Sequence, residues 1–329
     1  MSEPLNAESL LGQAGKHEKE YDWLGATGTY KKALGLVPDQ DFSKIGEIYE
    51  RLGFALYRAA MQVESADEFR DKMRQAVANF EKAKKSYGCL GEQGKTPRIL
   101  RCDAISAYVG YWLASEVPEK RRLLDECWRL TKESLKGFKE AGDAWEYAKT
   151  YNQLSNNVVF GFCLEWDFQA REKMMKEAIE HGGQAIKFLS TIGDPCELAR
   201  AYARMAFYLG VFDYYFLDID EKERDYQNAQ DYWERAKQLS EEVALFELLY
   251  PIFGGQLLLW GEATDEAMVN LKKALEYGRR TRDKFIIGCA LDWLVYHTTW
   301  SGAKVEDPEE RSMLLKTELQ YAEDAKRHY

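Results

Sequence analysis

Apolar residues in this chain recur every three or four positions, and no alternating strand pattern persists, so it reads as helical throughout. Four segments share one finer pattern: a small residue, a bulky apolar residue four positions on, and alanine three beyond that. They are Ala26–Tyr30–Ala33, Ala76–Phe80–Ala83, Ala229–Trp233–Ala236 and Ala267–Leu271–Ala274. Positions i, i+4 and i+7 share a helix face. Alanine there lets a second helix approach closely, and the bulky residue fills the remaining gap. Each such face predicts a packed helix pair.

Breaks fall at Val37-Pro38-Asp39, Gly88 to Pro97, Val117-Pro118, Gly142-Asp143, Gly193-Asp194-Pro195 and Asp307-Pro308. The two Gly-Asp pairs lie in the same register as Ala148 and Ala199, which open the next apolar runs. Seven helical hairpins are predicted, at 5–38, 41–88, 97–142, 144–193, 195–245, 246–282 and 283–329. The first helix of most hairpins carries an aromatic residue, then a bulky and a small residue. Examples are Tyr49-x2-Leu52-Gly53, Tyr151-x2-Leu154-Ser155, Tyr202-x2-Met205-Ala206 and Tyr250-x2-Phe253-Gly254. The small residue is where the second helix of the same hairpin is expected to cross. Ser134, Phe138 and Ala141 stand in for the second-helix pattern in the third hairpin.

These motifs resemble the tetratricopeptide repeat, which runs W-x2-L-G-x2-Y, then A-x3-F-x2-A, then proline. Ala26-x3-Tyr30-x2-Ala33-x4-Pro38 matches its second half best, and the resemblance extends unit by unit along nearly the whole chain. Most units are longer than the 34 residues of the standard repeat. The resemblance implies an all-α fold, a right-handed α-α superhelix of about seven hairpins, forming a single domain over 1–329. Met313 to Tyr329 reads as a cap, polar outside its apolar stripe. It ends without a helix stop signal, which is compatible with the chain being the N-terminal part of a longer protein.

Composition narrows the functional classes. The formal net charge of −10 disfavours nonspecific binding to nucleic acid or to an anionic membrane. No apolar run approaches the roughly 20 residues needed to span a bilayer, and the N-terminus has no signal-peptide pattern. Six scattered cysteines without Cys-x-x-Cys read as reduced, mostly buried thiols of a cytoplasmic protein. Trp112, Trp128, Trp166, Trp260, Trp293 and Trp300 read as inter-helix filler. Gly182-Gly183 and Gly254-Gly255 read as close packing or kinks. The acid-rich stretch Asp213 to Asp225 reads as a solvated turn leading into a helix N-terminus, with Glu165 and Asp167 in a similar turn. No catalytic constellation, metal motif or cofactor-binding loop stands out, so no cofactor is expected.

In the tetratricopeptide family the groove is lined mainly by the first helix of each hairpin. Carrying those positions over, with Ala148 and Ala199 as position one, gives Lys149, Asn152, Asn156 and Val159 in the fourth hairpin. The fifth offers Arg200, Phe207 and, one position off that face, Arg204. The third offers Tyr111, and the second Glu47, Glu50 and Tyr57. The Lys, Asn and Arg residues resemble, in part, the carboxylate clamp of chaperone-binding members, which implies a ligand with an acidic group. A plainer reading stands beside it, in which Lys149 pairs with Glu146 and Arg200 with Glu197, each three residues back.

The favoured function is a non-catalytic interaction scaffold holding a peptide or protein segment in its groove. The alternative is an effector-sensing regulatory domain of a signalling protein. An enzyme in a helical toroid comes third, since neither a central acidic pair nor an Asp-rich motif is found.

Overall fold

Aspartate and glycine punctuate this chain, and they set where each helix begins. In a computed structural model, residues 6–90, 92–260 and 264–326 are described, without the side chains of 92–95, 219–227, 259, 260, 325 and 326. These residues contain helices and turns and no strand. Two compact units divide after Glu165.

In the first unit, α1 (Ala7–Lys19) pairs with α2 (Trp23–Leu34), α3 (Phe42–Ala60) with α4 (Ala66–Gly88), and α5 (Glu92–Leu113) with α6 (Val117–Glu140). Then come α7 (Ala144–Leu154) and α8 (Asn156–Leu164), both packed on α6. The second unit opens with α9 (Phe168–Ile192), followed by α10 (Pro195–Phe216) and α11 (Ile219–Glu242). A 3-10 turn, Phe246–Leu248, leads into α12 (Leu249–Trp260), then α13 (Asp265–Thr281), α14 (Lys284–Lys304) and α15 (Pro308–Lys326). The fold is all-α, of the tetratricopeptide-like helical-repeat kind. We call α3, α5, α7–α8, α10, α12 and α14 the A helices.

The twelve residues of the four Ala-bulky-Ala segments are all buried, on α2, α4, α11 and α13. Two of the four expected crossings at small residues are found, at Gly53 and Ala206. A Cβ on Gly53 would lie 2.8 Å from the Phe80 ring, and the Trp233 indole donates to the Ala206 carbonyl at 3.2 Å. Gly254 differs. Its space is taken by Trp293 of α14, the A helix of the next hairpin, and not by its own partner α13.

The Gly-Asp register is also observed. Gly142 and Gly193 adopt φ of +71° and +80°, which glycine reaches without a Cβ clash. Asp143 then accepts from the Glu146 amide at 3.1 Å and Asp194 from the Glu197 amide at 2.8 Å. Asp22, Asp41 and Asp283 cap α2, α3 and α14 in the same way.

Several expectations are corrected. The α5 helix begins at Glu92 and contains Pro97, so the break after Gly88 is shorter than the sequence suggested. The fourth A helix is interrupted at Ser155. The Ser155 amide still bonds to Tyr151, but Val158 bonds back only three residues to Ser155, and the ladder restarts there. Ala141 is the exposed cap of α6, whereas Ser134 and Phe138 are buried as expected. Asp213 lies inside α10 and is fully buried, so it is not part of a solvated turn. The side chains of 219–225 and of Trp260 lie outside the described residues. Trp166 is 84% exposed, so it fills no helix interface. Only Cys102 and Cys127 are buried, and none of the six cysteines is in a disulfide. On α15, Met313, Leu315 and Leu319 are exposed, so its outer face is not polar. Among the described residues no helix is long and apolar enough to cross a membrane.

Candidate ligand-binding faces

In the first unit a run of touching rings begins at the start of α2 and continues along the A helices. Trp23 at the start of α2 meets Phe54 of α3 at 5.9 Å between centroids, and Phe54 meets Tyr57 at 5.9 Å. Tyr57 meets Tyr108 of α5 at 5.7 Å. Tyr108 stacks on Tyr111 at 6.5 Å, and Phe160 of α8 touches Tyr111 and Trp112 at 5.4 and 5.6 Å. Tyr57 and Tyr108 are buried, whereas Phe54, Tyr111, Trp112 and Phe160 are half-buried and keep part of their area exposed. Burial and the nearby Cys163 push the Tyr111 hydroxyl up, so it stays protonated as a donor. The Lys120 ammonium sits 5.4 Å from the Tyr111 ring centre.

The second unit has its own run of rings. Phe207 of α10 meets Trp293 of α14 edge-on at 6.0 Å, Trp293 meets Tyr296 at 5.6 Å, and Tyr296 meets Trp300 at 6.0 Å. All four are half-buried. The α10 and α12 backbones approach through Gly210 and Gly255, where a Cβ on Gly255 would lie 2.8 Å from the Ala206 carbonyl oxygen. That close approach is the packing expected of the Gly254-Gly255 pair. Tyr111 and Phe207, singled out from the sequence as ligand contacts, are members of these two runs.

The charged candidates divide by surroundings. In the first unit Lys149 reaches Glu146 at 3.9 Å, the plain pairing open from the sequence, and belongs to a larger buried network. At its centre is Arg101 of α5, wholly buried, gripping Glu50 of α3 and bonding to Glu146 and Thr150 of α7. Tyr87 of α4 donates to Glu50 at 2.8 Å, and Arg98 reaches Glu146 at 3.3 Å. Burial alone would raise the Glu146 carboxyl, but Arg101, Lys149 and Arg98 outweigh it and hold it at about 2. Glu50 is lowered by the same contest between burial and Arg101. Glu50, Tyr57 and Asn152 are buried and not presented at a surface, while Glu47 and Asn156 are half-buried.

In the second unit Arg200 pairs with Glu197 at 2.6 Å, again the plain reading. Arg204 is half-buried, donates to the Arg200 carbonyl at 3.3 Å, and has no carboxylate within 4 Å among the described residues. Elsewhere, Glu165 pairs with Arg121, and Asp167 caps α9 by accepting from Gln169 and Ala170 at 2.8 and 3.1 Å. Among the described residues no group of three or more His, Cys, Asp or Glu could hold a metal.

No protein-family model matches the chain, and no curated protein resembles it in sequence. Solved structures do resemble it in fold. The Rap conjugation gene regulator of the plasmid pLS20, in complex with the Phr* peptide, aligns with a TM-score of 0.58 at 14% identity, over 97% of this chain and 74% of that one. A Rap protein complexed with competence and sporulation factor aligns at 0.56 and 13% identity, over 97% and 75%. Aspartyl phosphate phosphatase F from Bacillus subtilis aligns at 0.54 and 11%, over 95% and 69%. At such identities the likeness establishes the fold, the tetratricopeptide-like helical repeat that the Ala-bulky-Ala segments pointed to.

Proposed function

We propose that this chain is a receptor for a peptide or protein segment held on its A-helix faces, with binding rather than catalysis as its task. The observation that carries this reading is a run of touching rings, several of them half-buried, on α3, α5 and α8 in the first unit and on α10 and α14 in the second. Such rings supply large contact area at little side-chain entropy cost, which is why a few aromatic and arginine anchors dominate most interfaces. Arg204, without a carboxylate partner among the described residues, favours a ligand with an acidic group. Two of the similar structures hold a peptide or a named factor, which supports the same reading. A regulator that changes state when the ligand binds is its natural extension.

The likeness to an aspartyl phosphate phosphatase favours a second reading, dephosphorylation of an acyl phosphate on a partner protein. Selection from a displayed random-peptide library, followed by calorimetry on the selected peptides, tests the first. Each unit is altered separately, by Tyr111→Ala with Phe160→Ala or by Phe207→Ala with Arg204→Glu. Peptides that bind the native chain should bind at least one variant about tenfold more weakly, about 1.4 kcal/mol, with helical content unchanged. Failure to select any peptide, or binding by both variants as tight as by the native chain, sinks the receptor reading. Release of phosphate from an acyl-phosphorylated partner would establish the second.

A further inference from the structure

Away from the A-helix faces, the first unit has a cavity of about 360 Å³ between α2, α3 and α4. Lys31 and Leu34 line it from α2, Tyr49 and Leu52 from α3, and Asn79 and Lys82 from α4. The Lys82 ammonium lies 5.4 Å from the Tyr49 ring centre. We infer that this cavity binds a small organic anion, a carboxylate or phosphate monoester on a flat apolar body, between the Lys31 and Lys82 ammonium groups with its body against Tyr49 and Leu52.

On a helix a lysine can pair with a carboxylate three or four positions away, as Lys84 does with Glu81 at 3.0 Å. Around Lys82 those positions hold Ala78, Asn79, Lys85 and Ser86; around Lys31 they hold Thr27, Gly28, Leu34 and Gly35. Neither lysine has a carboxylate within 4 Å among the described residues, although the chain has 55 acidic residues against 45 basic ones. Two uncompensated cations facing one cavity in an acidic protein leave room for an anion from outside.

The repeat supplies an internal comparison. Counting from the alanine that opens each Ala-bulky-Ala segment, Asn79 corresponds to Tyr232 and Tyr49 to Tyr202. In that fifth hairpin the two tyrosine rings meet at 5.7 Å, so aromatic area covers the equivalent place. The sixth hairpin keeps the asparagine as Asn270, but Glu234 takes the place of Lys31. There Lys237 pairs with Glu266, the residue matching Gln75. The paired cations and the open space coincide only between α2, α3 and α4 among these three places. The volume corresponds to about a dozen waters, at the lower end of small-molecule sites, and suits one ring with one anionic head.

Phenyl phosphate and benzoate serve as probes, titrated into the full chain and followed by ligand-observed NMR and calorimetry. At least one should bind saturably below about 10 mM, and the stronger of the two assigns the head group. Lys31→Glu with Lys82→Glu should weaken that probe at least tenfold. Lys32→Glu, exposed on the same helix but outside the cavity, should not. Asn79→Tyr, which copies the fifth hairpin, should abolish binding while the thermal midpoint is kept. The inference is overturned if neither probe saturates, if the double charge reversal binds as well as the native chain, or if Lys32→Glu weakens binding equally. Because the site is separate from the ring faces, its failure leaves the peptide-receptor reading untouched.

Discussion

The Arg101 guanidinium and the Glu50 carboxylate meet edge to edge in the first unit, Nε to Oε1 at 2.7 Å and Nη2 to Oε2 at 2.9 Å. Neither side chain is more than 3% exposed. Taking two ions out of water is costly, and the pair offsets that cost only while both partners stay and their remaining bonds are filled. Tyr87 donates to Glu50 Oε2, Arg101 Nη1 bonds to Glu146 and Thr150, and the guanidinium lies over the Phe138 ring, so one side chain ties α5 to α3, α6 and α7.

Arg101→Met should therefore destabilise the full chain by about 3–5 kcal/mol, because Glu50 would remain buried without its cation. Adding Glu50→Gln should restore part of the loss, with a coupling of about 2 kcal/mol in a double-mutant cycle measured by urea denaturation. Additive losses would show that the two residues act independently.

Acid should unfold the first unit through the same network. Glu146 is held at about 2 against 4.5 for a free glutamate, and Glu50 is also lowered. Between those values the unfolded chain binds more protons than the folded one, so stability falls as the pH falls. The contribution is complete above about pH 4.5 and lost toward about pH 2, and for Glu146 it is on the order of 3 kcal/mol. Stability measured from pH 6 down to pH 2.5 should fall steeply in the native chain and more gently in Glu146→Gln. Equal slopes would place the acid sensitivity elsewhere.

What was legible in the sequence was whatever repeats. Helix packing writes a periodic signal, so Ala26, Ala76, Ala229 and Ala267 marked buried faces correctly, and the Gly-Asp pairs marked helix starts. Tyr111 and Phe207 were reached by counting within that register. Arg101 was not, because its partners are 51 and 45 residues away, and an arginine on an amphipathic helix looks the same whether it faces water or a buried carboxylate. Trp293 was read as inter-helix filler, which it is, but the hole at Gly254 that receives it belongs to the preceding hairpin, and no spacing pointed there. Pairings between hairpins leave no local periodicity, and the charged core and the ring runs are both of that kind.

Glycine at a crossing and glycine on an open face should respond oppositely to alanine. At Gly53 a new Cβ would sit 2.8 Å from Phe80, a ring with no exposed surface into which to retreat. Gly53→Ala should cost about 1–3 kcal/mol by overpacking. Gly12 lies in α1 with nothing within 4 Å of the same position, so Gly12→Ala should stabilise by about 0.5–1 kcal/mol through lower backbone entropy of the unfolded chain. Melting curves of the two variants check both signs.

Trp293 occupies the space that Gly254 leaves open, and it is also the second ring of the second unit's run from Phe207 to Trp300. Gly254→Ala puts a methyl group where the indole lies. Because Trp293 is half-buried, its ring can swing outward and the α10–α12 packing through Gly255 can persist. The expected result is a small loss of stability, about 1 kcal/mol, with a red shift of Trp293 emission isolated by difference against Trp293→Phe. Peptides selected on the native chain that depend on Phe207 should lose about tenfold in affinity, since the ring next to Phe207 has moved. If their affinity is unchanged while the emission shifts, Trp293 packs the hairpins without contributing to the ligand face, and the second unit's binding rests on Phe207 and Arg204.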